Sequence, residues 1–148
     1  ARSNINQGTN GFFGIGAGLQ QVAEVTQDGL SNGSDITQRG VAQTARVTQS
    51  GSGNESAVSQ GSTGFGGVNI GSGNLATVTQ SGDDGESSVI QRGTDSVATV
   101  TQDGADNDSF ITQRGDDNRA TLTQTSNANL SIINQNGNGN AATVTQGF

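Results

Sequence analysis

Residues 87–124 read SSVIQ RGTDSVATVTQ DGADNDSFITQ RGDDNRATLTQ, broken here after each glutamine so that Gln91, Gln102, Gln113 and Gln124 fall eleven residues apart. Two places before each glutamine stands an aliphatic residue, and four places before it stands Ser or Ala in alternation. Outward from this stretch the same frame finds Gln80, Gln60, Gln49, Gln38, Gln27 and Gln7 on one side and Gln135 and Gln146 on the other. Two of the steps lengthen to twenty residues, where Gly-rich inserts intervene. A fixed period of this kind is the signature of a stacked repeat and takes precedence over any local reading.

The position two before each glutamine (−2) is filled by Ile5, Val25, Ile36, Val47, Val58, Val78, Val89, Val100, Ile111, Leu122, Ile133 and Val144. Position −4 alternates without an error: Ser3, Ala23, Ser34, Ala45, Ser56, Ala76, Ser87, Ala98, Ser109, Ala120, Ser131, Ala142. The unit is therefore a Ser half followed by an Ala half, 22 residues long and present six times. Alternation over about five residues is strand periodicity, with one parity facing inward. The inward set is −4, −2 and the glutamine, joined at −6 by Asn32, Asn54, Asn74, Asn107, Asn118, Asn129 and Asn140. Two places after most glutamines stands Gly, followed by Ser, Asp or Asn, residues suited to a tight turn.

Two strands and two turns per 22 residues predict one rung of a flattened, all-β parallel solenoid, an amyloid-like cross-β stack. Ser strands stack on Ser strands in one sheet and Ala strands on Ala strands in the facing sheet, about 4.8 Å per rung. The expected organisation is one solenoid domain over 1–148, with rungs 3–27, 34–49, 56–80, 87–102, 109–124 and 131–146 and loop insertions 8–20 and 61–73. The −2 residues form an aliphatic core, and the Gln and Asn columns form interior ladders in which each amide donates to its copy one rung away. That arrangement answers a compositional puzzle. Only 28% of the residues are hydrophobic, five are aromatic, and yet charged residues amount to just 13%, too few for an ordinary disordered chain.

The chain contains no Cys, His, Lys, Tyr, Trp, Met or Pro. Histidine bases, Cys and Lys nucleophiles and His or Cys metal sites are thereby excluded, and an enzyme, a cofactor or a bound metal is not expected. The acidic turns lack the spacing of known calcium loops and read as solvated. A net charge of −7 argues against a nucleic-acid partner, and no apolar run approaches the roughly 18 residues of a membrane helix.

The repeat resembles the curlin repeat of curli, the secreted functional amyloid of bacterial biofilms. Asn54-Glu-Ser56-Ala-Val58-Ser-Gln60, Asn74-Leu-Ala76-Thr-Val78-Thr-Gln80-Ser-Gly82 and Asn140-Ala-Ala142-Thr-Val144-Thr-Gln146 carry the likeness, and the frame covers nearly the whole chain. The family's Ser-x5-Gln strand is replaced by Ser four before Gln, and its Gly-rich leading segment is not seen; a basic final repeat is also lacking, which favours the major subunit. The resemblance implies a secreted, cell-surface fibre of the biofilm matrix that serves adhesion, with a nucleator subunit and an outer-membrane export machinery as partners. The first rung (Ser3, Ile5, Gln7) and the last (Ala142, Val144, Gln146) match in pattern and carry no cap in this sequence, so head-to-tail polymerisation of the chain with itself is expected.

Outside the frame, Phe12, Phe13 and Phe65 sit in the two inserts, which leave the same edge and offer either lateral contacts between fibrils or flexible loops. On the outward parity Thr77/Thr79, Thr99/Thr101, Thr121/Thr123 and Thr143/Thr145 form a double Thr row interrupted at Glu24 and Arg46. Such a row resembles the face of ice-binding solenoids, the alternative function, although Thr also simply suits an exposed strand. Arg39, Arg92 and Arg114 follow three of the Ser strands near acidic turns, where rung-to-rung ion pairs are plausible.

Overall fold

The computed structural model of the protein describes residues 1–8, 20–63 and 69–147. Phe12, Phe13 and Phe65, and with them the proposed lateral contacts, lie outside these residues. The described chain is all-β and contains no helix. Twelve strands make two six-stranded sheets. One is built from the Ser strands β1 (Arg2–Gln7), β3 (Gly33–Gln38), β5 (Glu55–Gln60), β9 (Glu86–Arg92), β11 (Asp108–Arg114) and β13 (Leu130–Asn136), stacked in that order. The other holds the Ala strands β2 (Val22–Leu30), β4 (Thr44–Ser52), β8 (Leu75–Gln80), β10 (Val97–Gln102), β12 (Arg119–Gln124) and β14 (Ala141–Gln146).

Every pairing within these sheets is parallel and in register, Ser109 on Ser87, Ile111 on Val89 and Gln113 on Gln91 in one sheet, Ala120 on Ala98 and Gln124 on Gln102 in the other. The period of two fixes this register, since a slip by one residue would turn the whole aliphatic column to solvent. Ile36, Val47, Val58, Val78, Val89, Val100, Ile111, Leu122 and Ile133 are buried, together with Ala45, Ala76, Ala98 and Ala120. In the outermost rungs Val25, Ala142 and Val144 are partly buried and Ile5 is 45% exposed. Small Ala and Ser beside the branched column let the sheets approach one another closely.

The turns repeat as faithfully as the strands. After Gln102 the chain passes through Gly104 at φ +108° and Asp106 at φ +56° before β11 begins at Asp108. The second left-handed position, four after the glutamine, is taken by Ser31, Ala42, Gly53, Asp84, Asp95, Asp106, Asp117, Ala128 and Gly139. Asp is frequent there because its short polar side chain tolerates this conformation. The second insert leaves and rejoins the solenoid through a two-residue antiparallel stem, β6 (Ser62–Thr63) on β7 (Asn69–Ile70), not anticipated from the sequence.

Candidate functional site

The feature that sets this solenoid apart is its two interior glutamine columns. In the Ser sheet Nε2 of Gln7 donates to Oε1 of Gln38 (2.7 Å), Gln38 to Gln60 (2.9 Å), Gln60 to Gln91 (2.9 Å), Gln91 to Gln113 (3.0 Å) and Gln113 to Gln135 (2.8 Å). In the Ala sheet the chain runs Gln27 to Gln49 (2.8 Å), Gln80 (2.8 Å), Gln102 (2.9 Å), Gln124 (3.0 Å) and Gln146 (3.1 Å). The same nitrogens also donate to backbone carbonyls of the facing strand, as Gln60 does to Thr44 (2.9 Å) and Gln113 to Val97 (3.0 Å). That second bond fixes the orientation of each amide. A flipped glutamine would set oxygen against a carbonyl oxygen. Every ladder bond therefore points from the first rung toward the last, and the side chains from Gln38 to Gln124 are almost wholly buried without an unmet donor.

The Asn column behaves differently from the expected ladder. Its side chain is one methylene shorter and stands at the turn, so Oδ1 reaches the backbone of the next rung instead of a neighbouring amide. Asn32 Oδ1 accepts from the Asn54 N–H, Asn54 from Gly85 and Asn74 from Ser96, each at 3.0 Å. Nδ2 closes its own turn, as from Asn54 to Ser50 O (3.0 Å), and ties it to the turn of the next rung, as from Asn54 to Gly82 O (2.6 Å) and from Asn118 to Gly137 O (2.7 Å). Side-chain pairing appears in the last two rungs, Asn129 to Asn107 and Asn140 to Asn118, both 3.0 Å.

A further ladder went unread. Three places after the glutamine, Oδ1 of Asp83, Asp116, Asn127 and Asn138 accepts the backbone N–H of Ser52, Thr94, Ala105 and Asp116 one rung back, at 2.8–2.9 Å. The signal was the run of Asx at this place in three consecutive turns, Asp116, Asn127 and Asn138. The Ser52 hydroxyl and then its amide hold the Asp83 carboxyl below its usual range. The ion pairs expected of Arg39, Arg92 and Arg114 do not form; among the described residues the one ion pair is Arg46–Glu24 at 3.4 Å. It bridges two Ala strands at the positions that interrupt the Thr row. The Arg side chains at the ends of the Ser strands extend into solvent, where a pair gains little.

The two end rungs differ in chemistry. In the first, the amide oxygens of Gln7 and Gln27 have no partner among the described residues; in the last, Gln135 and Gln146 donate to the carbonyls of Arg119 and Leu130 and keep a second N–H free. Ser3, Ile5 and Gln7 are exposed, and Ala142, Val144 and Gln146 are partly covered. Acceptors thus face out at one end and donors at the other, on strands of the same register.

A family profile described as Curlin associated repeat matches residues 29–61, 83–115, 93–125 and 115–147, more than half of the chain. The chain belongs to the curlin family. No curated protein matches it. Throughout the matched residues each glutamine of the frame keeps its aliphatic residue two places before it. The fold and family are structural in kind, consistent with an interior filled by amide ladders and aliphatic columns.

Proposed function

We propose that this chain is the building subunit of an extracellular bacterial fibre of the curli type, growing head to tail by addition of a second copy to the open edges of both sheets. One observation carries the reading: unpaired amide oxygens on the first rung and free amide N–H groups on the last, held in the same register. Stacking copies continues both glutamine columns and both aliphatic columns without a break. Six rungs add about 29 Å of fibre per subunit. Family membership supports secretion, a nucleator and a role in biofilm adhesion.

Electron microscopy of the purified chain left in buffer tests the reading. The expected result is fibres that seed their own growth and give a reflection near 4.8 Å. Gln135→Glu with Gln146→Glu removes the outgoing donors and is expected to slow seeded growth at least about tenfold, by leaving acceptor against acceptor. Growth at the wild-type rate would remove the ladder from the mechanism. Freezing-point depression by a chain that stays monomeric would instead favour ice binding by the Thr rows, whose strands are stacked in register.

A further inference from the structure

The outward position immediately before each glutamine is Thr in most half-rungs, but Asn in two of them, Asn6 and Asn134. These two lie on β1 and β13, the opposite edge strands of the Ser sheet. Within the chain Asn6 neighbours Thr37 and Asn134 neighbours Thr112, and between them the row runs through Ser59 and Ile90. Both amides are exposed, and neither has a hydrogen-bond partner among the described residues.

Every Ser strand stacks position for position on the next. Carried across to a second copy, the same register sets Asn134 directly against Asn6, Ile133 against Ile5 and Gln135 against Gln7. We infer that Asn6 and Asn134 form a self-recognition pair at the junction between copies, an outward amide bond that exists only when the last rung of one subunit meets the first rung of another. This rests on head-to-tail growth and says what selects the rung that docks. Against a Thr, Ser or Ile at that place, Asn134 meets no amide; against Asn6 it meets a group that is donor and acceptor at once, as in a stacked Asn ladder. The pair favours whole-subunit register and addition of this same chain over a solenoid bearing another residue there. Residues directly opposite on a parallel pair are close enough for charge to report the contact.

Three double variants test it by seeded elongation. Asn6→Asp with Asn134→Asp puts like charges together at the junction alone and is expected to slow growth about fivefold. Thr37→Asp with Thr112→Asp makes the same change in net charge on the same outward row away from the junction, and is expected to stay within about twofold of wild type. Asn6→Asp with Asn134→Arg restores attraction and is expected to recover the wild-type rate. If the first variant folds poorly, mixing it with chains carrying Asn6→Arg and Asn134→Arg supplies the second readout: the mixture elongates by alternation where each chain alone is slow. Equal rates for the Asp/Asp and Asp/Arg junction variants overturn the pair while leaving head-to-tail growth standing. A wild-type chain that adds nothing to its seeds overturns head-to-tail growth itself.

Discussion

Inside this solenoid a glutamine and a serine occupy equally dry positions with opposite fortunes. Gln49 Nε2 lies within hydrogen-bonding distance of Gly33 O, Asn54 O and Gln80 Oε1, and its own oxygen accepts from Gln27. The hydroxyls of Ser34, Ser56, Ser87 and Ser109 are just as buried, yet find no partner in the protein; only in the last rung does Ser131 bond to Gln146. A buried hydroxyl without a partner is destabilising, so Ser87→Ala is expected to raise stability by about 1 kcal/mol, read as a higher denaturant midpoint at unchanged slope. The facing Ala column shows that a methyl suits such a place. A lower midpoint would mean that the hydroxyl is satisfied by trapped water. The inward place of Gln and Ser was legible from their coupling to the aliphatic column, because parity sorts side chains by face. Which of them would be satisfied was not legible, because that depends on reach across the sheets, to carbonyls sixteen residues away such as Val97 O from Gln113.

At the level of strands and turns, stacking makes each turn the floor of the next. Gly115 has φ +103°, and a Cβ there would meet the Gly137 carbonyl and come within 2.6 Å of Asn138 Oδ1. Gly115→Ala is therefore expected to cost about 1–3 kcal/mol, combining left-handed strain with displacement of the neighbouring turn. Asp106, at φ +56°, already accommodates a Cβ, and glycine holds the same place as Gly53 and Gly139 in other turns. Asp106→Gly should change stability by less than about 1 kcal/mol. Denaturation of the two variants side by side checks the contrast, and a Gly115→Ala loss no larger than the Asp106→Gly effect would overturn the clash with the stacked turn. Sheet membership and register followed from the period of two and the Ser/Ala alternation, whereas β2 and β4 run three residues past their glutamines, through the glycines read as turns. The Asx bonds of the turns and the departure of the Asn column did not, because hydrogen-bond partners one rung away depend on side-chain length and turn shape, which spacing leaves open. The antiparallel stem β6–β7 is not legible in the sequence for a related reason: two residues are too few to show a period.

Across the whole molecule, charge separates by edge. Where Ala strands return to Ser strands lie Asp28, Glu55, Asp83, Asp84, Glu86, Asp103, Asp106 and Asp108, with Arg2 the one base; where Ser strands cross to Ala strands lie Arg39, Arg92, Arg114 and Arg119 beside Asp95, Asp116 and Asp117. Nearly all of the net charge of −7 therefore sits along one line. Copies stacked head to tail would extend that line, setting like charges side by side at every junction. Near neutral pH elongation should then be slowed by repulsion, and added salt, which shortens the screening length to about 8 Å at 0.15 M, should speed it. Acid acts in the same direction. As carboxylates protonate, the net charge falls to zero at the pI of about 4.1, and the rate should rise from pH 7 toward that pH. Asp83 resists this longest, since its bonds to Ser52 hold its carboxyl below the usual range; the stability it lends is present above the ordinary Asp value and is lost only as pH falls through that lowered one. Asp103→Asn with Asp106→Asn removes two charges from the line and should reproduce part of the salt effect at pH 7. Elongation that slows with added salt would mean that attraction across the edges, and not repulsion along one of them, governs assembly.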